Sequence, residues 1–408
     1  MILGRRSTRN ALGAVCIALA SCATTNLSPI GAGAQASPTD EDEKQLWRTA
    51  DQLERRIDSS EVRYKNPQLD AYLTGVAQKI LPFKAQAMGL SPRVKVIQDP
   101  LLNAFALPNG AIYFHTGILA RMENEDQLAV VLGHELTHVT HRHAMKQMRS
   151  LQNQTTIIGV FQVILPGLQG LTGQIGALWT LASTSGYSRE LETEADEQGL
   201  RLTVAAGYDP RQAPMVIEIL EEDLDGQKVK EPFFYGTHPR LEDRINNYRR
   251  LLATQYAKQA SAPAKVRTEE FLGGADGLLL DNAALDIGLG RLKTARSAID
   301  RYLKRKAQAP RAHFLLGEID RRSPGEGHAQ QAIVEYQEAA REDSSYADPH
   351  RELGFLYRFR GLHEQARAEF ERYLALNPNA VDAPIIRGYL KEPAKAGGKP
   401  STGGKSVD

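Results

Sequence analysis

The sequence predicts two folded units: an α+β domain built round a helix that carries paired histidines, then an all-α domain of repeated helical pairs. Three observations carry this reading. Residues 124–138 hold an apolar stripe at helical spacing, with His134 and His138 one turn apart. Residues 110–117 (Gly-Ala-Ile-Tyr-Phe-His-Thr-Gly) have the pattern of a short strand between glycines. Beyond residue 276, small and aromatic residues return at a spacing of about 34, the period of paired-helix repeats. Composition sets the outer bounds. With 42% hydrophobic and 24% charged residues, the chain fits a globular protein. Fifty basic against 49 acidic side chains give a net charge of +1, which argues against a nucleic-acid partner. Two cysteines in 408 residues cannot supply a disulfide framework or a thiolate metal site.

Taken in chain order, residues 1–22 read as a targeting segment. Arg5, Arg6 and Arg9 precede an Ala-rich stretch, Ala11–Ala20, that is too short to cross a hydrocarbon core of about 30 Å. Leu19-Ala20-Ser21-Cys22 resembles a bacterial lipobox. That resemblance implies lipidation of Cys22, loss of Cys16 with the signal, and a periplasm-facing protein. Ala23 lacks the acidic character that retains such anchors at the inner membrane, so an outer-membrane anchor is expected. Residues 23–40, rich in Ala, Thr, Ser, Pro and Gly, predict a flexible tether. A folded domain is expected over 41–256, opening on a helix that carries Leu46, Trp47, Ala50 and Leu53.

Asn124 is a fitting N-cap for the central helix, and Glu125 and Asp126 favour its positive end. Leu128, Val131 and Leu132 give the helix its apolar stripe. His134 and His138 on one face can share one Zn²⁺, one ion per chain, and Glu135 stands next to them as a candidate general base. The metzincin pattern fails, because His141 and Ala144 stand where it requires Gly and His. On a continuous helix His141 lies about 10.5 Å beyond His134 along the axis, too far to join the same ion. His143 would point to the opposite side. Both are expected to be solvated or supporting histidines. A second helix carries Glu192 and Asp196 four residues apart, so one carboxylate can reach the metal and the other can orient an imidazole. Neighbours among Glu190, Glu192 and Glu194 differ by about 200° in helical phase, and spacing alone does not choose between them.

Four ordered segments, Asn103-Ala-Phe-Ala-Leu-Pro-Asn-Gly110, His134-Glu135-x-x-His138, Ser188-Arg189-x-x-Glu192-x-x-Ala195-Asp196 and Thr237-His238-Pro239, resemble one family of zinc peptidases. That family includes HtpX and the CAAX prenyl proteases, and the likeness leans to its soluble beta-barrel assembly-enhancing branch. The resemblance covers residues 45–250 or so and implies a zincin-like metallopeptidase domain of gluzincin type, with a small sheet and the HExxH active-site helix. It implies Glu192 as the third zinc ligand and Asp196 as the group that orients a ligating imidazole. It also implies that His238 can sit on the metal as a regulatory fourth ligand or serve catalysis. Arg244 becomes a candidate to stabilise the oxyanion. The strand at Gly110, Ala111, Ile112 and Tyr113 is expected at the sheet edge above the metal, where substrate could bind by strand addition. The implied activity is endoproteolysis of misassembled envelope proteins. The alternative is a chaperone or assembly scaffold with a largely latent peptidase.

From Ser150 to Ser188 no residue is charged, yet Pro166 and the glycines at 159, 167, 170, 173 and 176 interrupt the run. A helical hairpin over the cleft, or one touching a membrane or partner, is expected there rather than a membrane span. Residues 257–275 predict a linker. Over 276–392, Leu353-Gly354, Tyr357, Ala366, Phe370 and Pro378, and before them Leu316-Gly317, Ala332, Tyr336 and Ala339, match the tetratricopeptide pattern. With a weaker unit at Gly290, Ala295 and Ile299, about three repeats are expected, recruiting outer-membrane assembly components. Residues 393–408 have the composition of a disordered tail.

Overall fold

The computed structural model describes residues 27–32, 40–153, 187–225, 241–263 and 266–391. Cys22, His238, most of the uncharged run and the tail at 393–408 lie outside the described residues. Helix α1 (Glu41–Ser59) buries Leu46, Ala50, Leu53 and Ile57 along one face, the stripe its sequence spacing demands. After β1 (Arg63–Tyr64), α2 (Pro67–Ile80) starts with Asn66 accepting from Leu69 N and proline in its first turn. A short α3 (Phe83–Ala87) precedes β2 (Arg93–Ile97), β3 (Ala104–Ala106) and β4 (Ala111–His115). The strands form one sheet in the order β1-β2-β4-β3, with β2 parallel to β4 and the other pairs antiparallel.

This order corrects the expectation for Gly110, Ala111, Ile112 and Tyr113. They open an interior strand, hydrogen-bonded on both sides and wholly buried. The cause is the turn at Asn109-Gly110. Gly110 adopts φ +85°, its N–H donates to Leu107 O at 3.0 Å, and Leu107 N–H donates to Ala111 O at 2.7 Å. That hairpin folds β3 over the side of β4 that spacing alone left open. The edge is therefore β3. Phe105 pairs with Tyr113 in a hydrogen-bonded register, so Ala104 and Ala106 turn their backbone groups away from β4.

After α4 (Thr116–Arg121) come α5 (Glu125–Thr140), α6 (His143–Asn153), α7 (Arg189–Ala205), α8 (Gln212–Asp225), α9 (Leu241–Ala253) and the short α10 (Ala257–Ala260). Helix α5 is buried along its whole length. It meets α7 through two glycines: a Cβ on Gly199 would sit 2.7 Å from His134 N, and one on Gly133 would sit 2.7 Å from Gly199 O. Neither glycine has room for a side chain; Thr203 Oγ1 already lies 2.6 Å from where a Cβ on Gly133 would be.

Two expected boundaries move. Within the tether, Ile30 is buried in the main core and donates its N–H to Thr140 O at 2.8 Å, so residues 27–32 pack on the end of α5. The expected linker at 257–275 also fails beyond Thr268, where α11 (Thr268–Gly288) begins. Gly273-Gly274 reads as a break in the sequence, but Gly274 is where Tyr72 lies against the helix; a Cβ there would meet its ring at 2.9 Å. Phe271, Ala275, Leu278 and Leu279 share the core of the α+β domain.

The chain continues as α12 (Leu292–Leu303), α13 (Pro310–Arg322), α14 (Glu326–Glu342), α15 (Ala347–Phe359), α16 (His363–Leu376) and α17 (Ala383–Lys391). Helix α13 packs on α14, and α15 on α16. Gly317 admits the ring of Tyr336, and Gly354 admits that of Phe370; a Cβ at either glycine would lie 2.5 Å from the ring. Among the described residues no helix is long and apolar enough to cross a membrane.

Replacing Gly199 with Ala should force α5 and α7 apart. We expect a loss of about 1–3 kcal/mol, seen as a lower urea midpoint at unchanged slope. An unchanged midpoint would show slack at the crossing. A second test concerns the α1–sheet contact. Glu54 accepts from Arg93 Nη2 at 2.7 Å, Lys95 Nζ at 3.0 Å and Asn109 Nδ2 at 2.8 Å. Burial raises its pKa, but Arg93 and Lys95 outweigh this and bring it from 4.5 to about 2. Its stabilisation is therefore complete above pH 4.5 and is lost as pH falls toward 2. After discounting for solvent screening, Glu54→Gln should cost about 1 kcal/mol at pH 7 and nothing near pH 2, read from denaturation at both pH values.

Candidate metal centre

Helix α5 presents the histidines from a fixed N-terminal end. Asn124 Oδ1 accepts from Gln127 N at 2.9 Å, and Asp126 accepts from Asp209 N at 2.8 Å and from Arg267. One turn separates His134 from His138, and their Nε2 atoms approach to 3.0 Å. Glu192, on the first turn of α7, brings Oε2 to 3.5 Å from His134 Nε2 and Oε1 to 3.5 Å from His138 Nε2. All three side chains are buried, and their ligand atoms lie within 4.8 Å of one another. Two nitrogens bound at about 2.05 Å in a tetrahedral site stand roughly 3.3 Å apart, so two imidazoles and one carboxylate suit a single zinc ion. Glu135, also buried, follows His134 on the same helix.

The structure separates the three carboxylates whose phase was ambiguous. Glu192 faces the histidine pair and Glu190 is exposed. Glu194 faces away from Glu192's position, toward His143 and Lys146.

Asp196 lies on the far side of His134, where Oδ1 accepts from Nδ1 at 2.9 Å. It also accepts from Arg244 Nε at 2.9 Å, Arg244 Nη2 at 2.7 Å and Tyr248 OH at 2.7 Å. Four hydrogen bonds from three partners satisfy a carboxylate that is 1% exposed. Burial opposes its ionisation, but Arg244 and His134 hold it well below the usual carboxylate range. Burial and Arg244 likewise lower the pKa of His134, and Asp196 and Glu192 reverse this, pushing it up to about 9. The pocket thus favours positive charge at its centre, as a divalent cation requires.

Arg244 meets the site from behind His134. Its guanidinium grips Asp196 on the Nδ1 side of His134, 3.3 Å from that nitrogen, whereas the convergent ligand atoms are on the Nε2 side. It is not a surface ion pair, being 6% exposed. His143 differs more sharply from its expected place. Helix α5 stops at Thr140, and Arg142 takes φ +56° before α6 starts. This turn replaces the continuous helix that put His143 on the side opposite the metal, and leaves it as the supporting histidine of the two expected roles. Its ring is fully buried, with Nδ1 2.9 Å from His138 Nδ1 and Nε2 3.2 Å from Glu194 Oε2. His141 stays off the metal as expected, half-buried beside Glu194, and burial lowers its pKa to about 4. Two tyrosines complete the site without having been singled out by motif. Tyr187 stacks on His138 at a centroid distance of 4.1 Å and 17°, and Tyr248 holds Asp196. Their only sequence signals are Tyr187's place just before α7 and Tyr248's place one turn after Arg244.

Residues 62–252 match the description of peptidase family M48. That stretch, just under half of the chain, forms a domain similar to peptidase family M48. The mitochondrial metalloendopeptidase OMA1 of Arabidopsis thaliana is 35% identical over 157 residues, covering 38% of this chain and 30% of that protein. Its namesake in Schizosaccharomyces pombe is 31% identical over 192 residues, 47% of this chain and 55% of its own. The beta-barrel assembly-enhancing protease of Escherichia coli is 28% identical over 247 residues, 58% of this chain and 49% of its own. The chain thus spans between about a third and just over half of these relatives.

In this M48 domain, Arg244→Met should leave the Asp196 charge buried against His134 and Tyr248 alone. We expect a loss of about 3–5 kcal/mol in urea denaturation, together with weaker zinc binding. Lysine at 244 should recover part of it, because it cannot form the two-pronged contact. A normal denaturation midpoint with impaired turnover would instead return Arg244 to a role at the reacting oxygen.

Proposed function

We propose that this protein is a zinc metalloendopeptidase that cleaves misfolded or misassembled proteins of the bacterial envelope. The observation that carries the reading is the convergence of His134, His138 and Glu192 beside Glu135 in an M48 domain. Zinc, when bound, supplies the Lewis acidity that polarises a scissile carbonyl and makes water nucleophilic at neutral pH. The residues of the chain do the rest. Glu135 takes the proton of the attacking water and passes it to the departing amine. Asp196, backed by Arg244 and Tyr248, fixes the ring of His134 so that Nε2 stays aimed at the ligand cluster. Tyr187 holds the plane of His138 by stacking. Strand addition, first assigned to residues 110–113, would fall to β3, the outer strand on that side of the sheet, once the residues that bury it move aside.

The envelope setting draws on the beta-barrel assembly-enhancing proteases among the relatives and on the lipobox-like Leu19-Ala20-Ser21-Cys22. Lipidation of Cys22 would hold the domain at the outer membrane, facing the periplasm. His238, from the His-Pro segment, would approach the metal as a fourth ligand that holds the site off or assists the reaction. The glycine–aromatic contacts of Gly317 with Tyr336 and Gly354 with Phe370 support reading residues 276–392 as about three tetratricopeptide-like repeats that recruit assembly components.

A second reading, a repeat-based chaperone or scaffold with a latent peptidase, gains support from α11, which joins the helical repeats to the M48 core. Glu135→Gln separates the two. The variant should keep zinc and the wild-type melting temperature yet lose about 10²–10⁴-fold in digestion of an unfolded protein substrate. Persistent cleavage would overturn the proposed role of Glu135. Full rescue of the outer-membrane proteome by a cleavage-dead variant would favour the scaffold.

A further inference from the structure

We infer that His143 is a positioning residue for the metal centre: with Glu194 it forms a His138–His143–Glu194 relay that fixes the proton and ring orientation of His138. The two ligating histidines have different backing. His134 Nδ1 meets a carboxylate directly, Asp196 Oδ1 at 2.9 Å. His138 Nδ1 meets another imidazole, His143 Nδ1, also at 2.9 Å. That imidazole then reaches Glu194 Oε2 through Nε2 at 3.2 Å, and Lys146 Nζ lies 3.3 Å from the same oxygen.

The proton positions follow from the contacts. If His138 gives its Nε2 lone pair to a metal, its neutral ring carries hydrogen on Nδ1. That hydrogen points at His143 Nδ1, which must accept it and so carries none. The proton of His143 then sits on Nε2 and is donated to Glu194. A doubly protonated His143 would set N–H against N–H, or would require His138 to surrender its own proton. One tautomer satisfies every contact in the chain, and burial of His143 makes the unsatisfied alternatives costly.

The geometry is built rather than incidental. The left-handed turn at Arg142 (φ +56°) ends α5 and swings His143 back under His138, with the rings edge-on at 4.9 Å. Tyr187 stacks on the face of His138 and meets His143 edge-on at 5.9 Å, so tilt and rotation of His138 are set by different neighbours. Outer hydrogen bonds of this kind are worth about 10–100-fold in metal affinity.

The inference rests on zinc being held by His134, His138 and Glu192. In the full chain, zinc affinity is read by competition with a chromophoric chelator. Wild type that takes up no zinc would defeat that underlying reading. If wild type binds, His143→Ala should bind about 10–100-fold more weakly. His143→Asn, whose Oδ1 can accept from His138 Nδ1, should recover most of the loss. Wild-type affinity in His143→Ala, or no recovery by Asn, would overturn the relay and leave the zinc site standing. Should both variants fail to fold, nitrogen NMR of ¹⁵N-histidine-labelled, zinc-loaded wild type decides. We expect His143 neutral with its proton on Nε2; a proton on Nδ1 overturns the assignment.

Discussion

The candidate metal centre depends on one close contact, the crossing of α5 and α7 at Gly133 and Gly199. A Cβ on either residue would lie within 2.7 Å of the opposing helix, so the two backbones pack closely, with Thr203 Oγ1 on α7 donating across to Ala129 O on α5. His134 follows Gly133, and Asp196 lies three residues before Gly199. The close approach therefore fixes how far the imidazole stands from the carboxylate that orients it. Moving along α7 by one turn from Asp196 reaches Glu192, which then faces the same histidines. A side chain at the crossing would displace every ligand distance together.

Burying so many charges at that crossing needs compensation, and the structure draws it from distant sequence. Asp196 would be costly as a lone buried anion. Arg244 and Tyr248, both from α9 and some fifty residues downstream, supply three of its hydrogen bonds. His134 supplies the fourth. The result is a carboxylate that stays ionised while buried and holds the imidazole from behind. On the other flank, Glu194 is also kept ionised, with a pKa lowered to about 2, first through its hydrogen bond with His143 and further by Lys146. The two flanks thus place their negative charge at different depths: next to the ligand at His134, and one ring removed at His138.

What could be read from the sequence was what local periodicity controls. The spacing of His134, Glu135 and His138 sets their common helix, and Asn124 marks its start; the structure places both accordingly. The misreadings share a physical cause, namely that they turn on partners far away in the chain. The strand at Ala111–His115 carries no mark of whether β3 covers its side, and only the turn at Gly110 decides it. His143 was assigned by extrapolating a helix that breaks at Arg142, a non-glycine residue in a left-handed conformation that propensity disfavours. Gly273-Gly274 looks like a hinge until Tyr72 is seen to occupy the space left by the missing side chain. Arg244 gave a candidate role but no direction, because its partner lies 48 residues away.

Helix α11 has a consequence that neither domain would show in isolation. Its first half contributes Phe271, Ala275, Leu278 and Leu279 to the core of the M48 domain, whereas Leu280, Ala283 and Ile287 belong to the core of the following helices. Between them runs a buried ion pair, Arg121 Nη1 to Asp286 Oδ2 at 2.9 Å, steadied by Asn282. Just upstream of α11, Arg267 O accepts from Glu125 N and its guanidinium binds Asp126, so the same helix is tied to the first turn of α5. Separating the two parts would expose both apolar faces and break the Arg121–Asp286 pair, a greater cost than opening a flexible linker. The helices that follow and the M48-like core are thus joined by packed side chains and one unbroken helix, and the segment before that helix binds the first turn of α5.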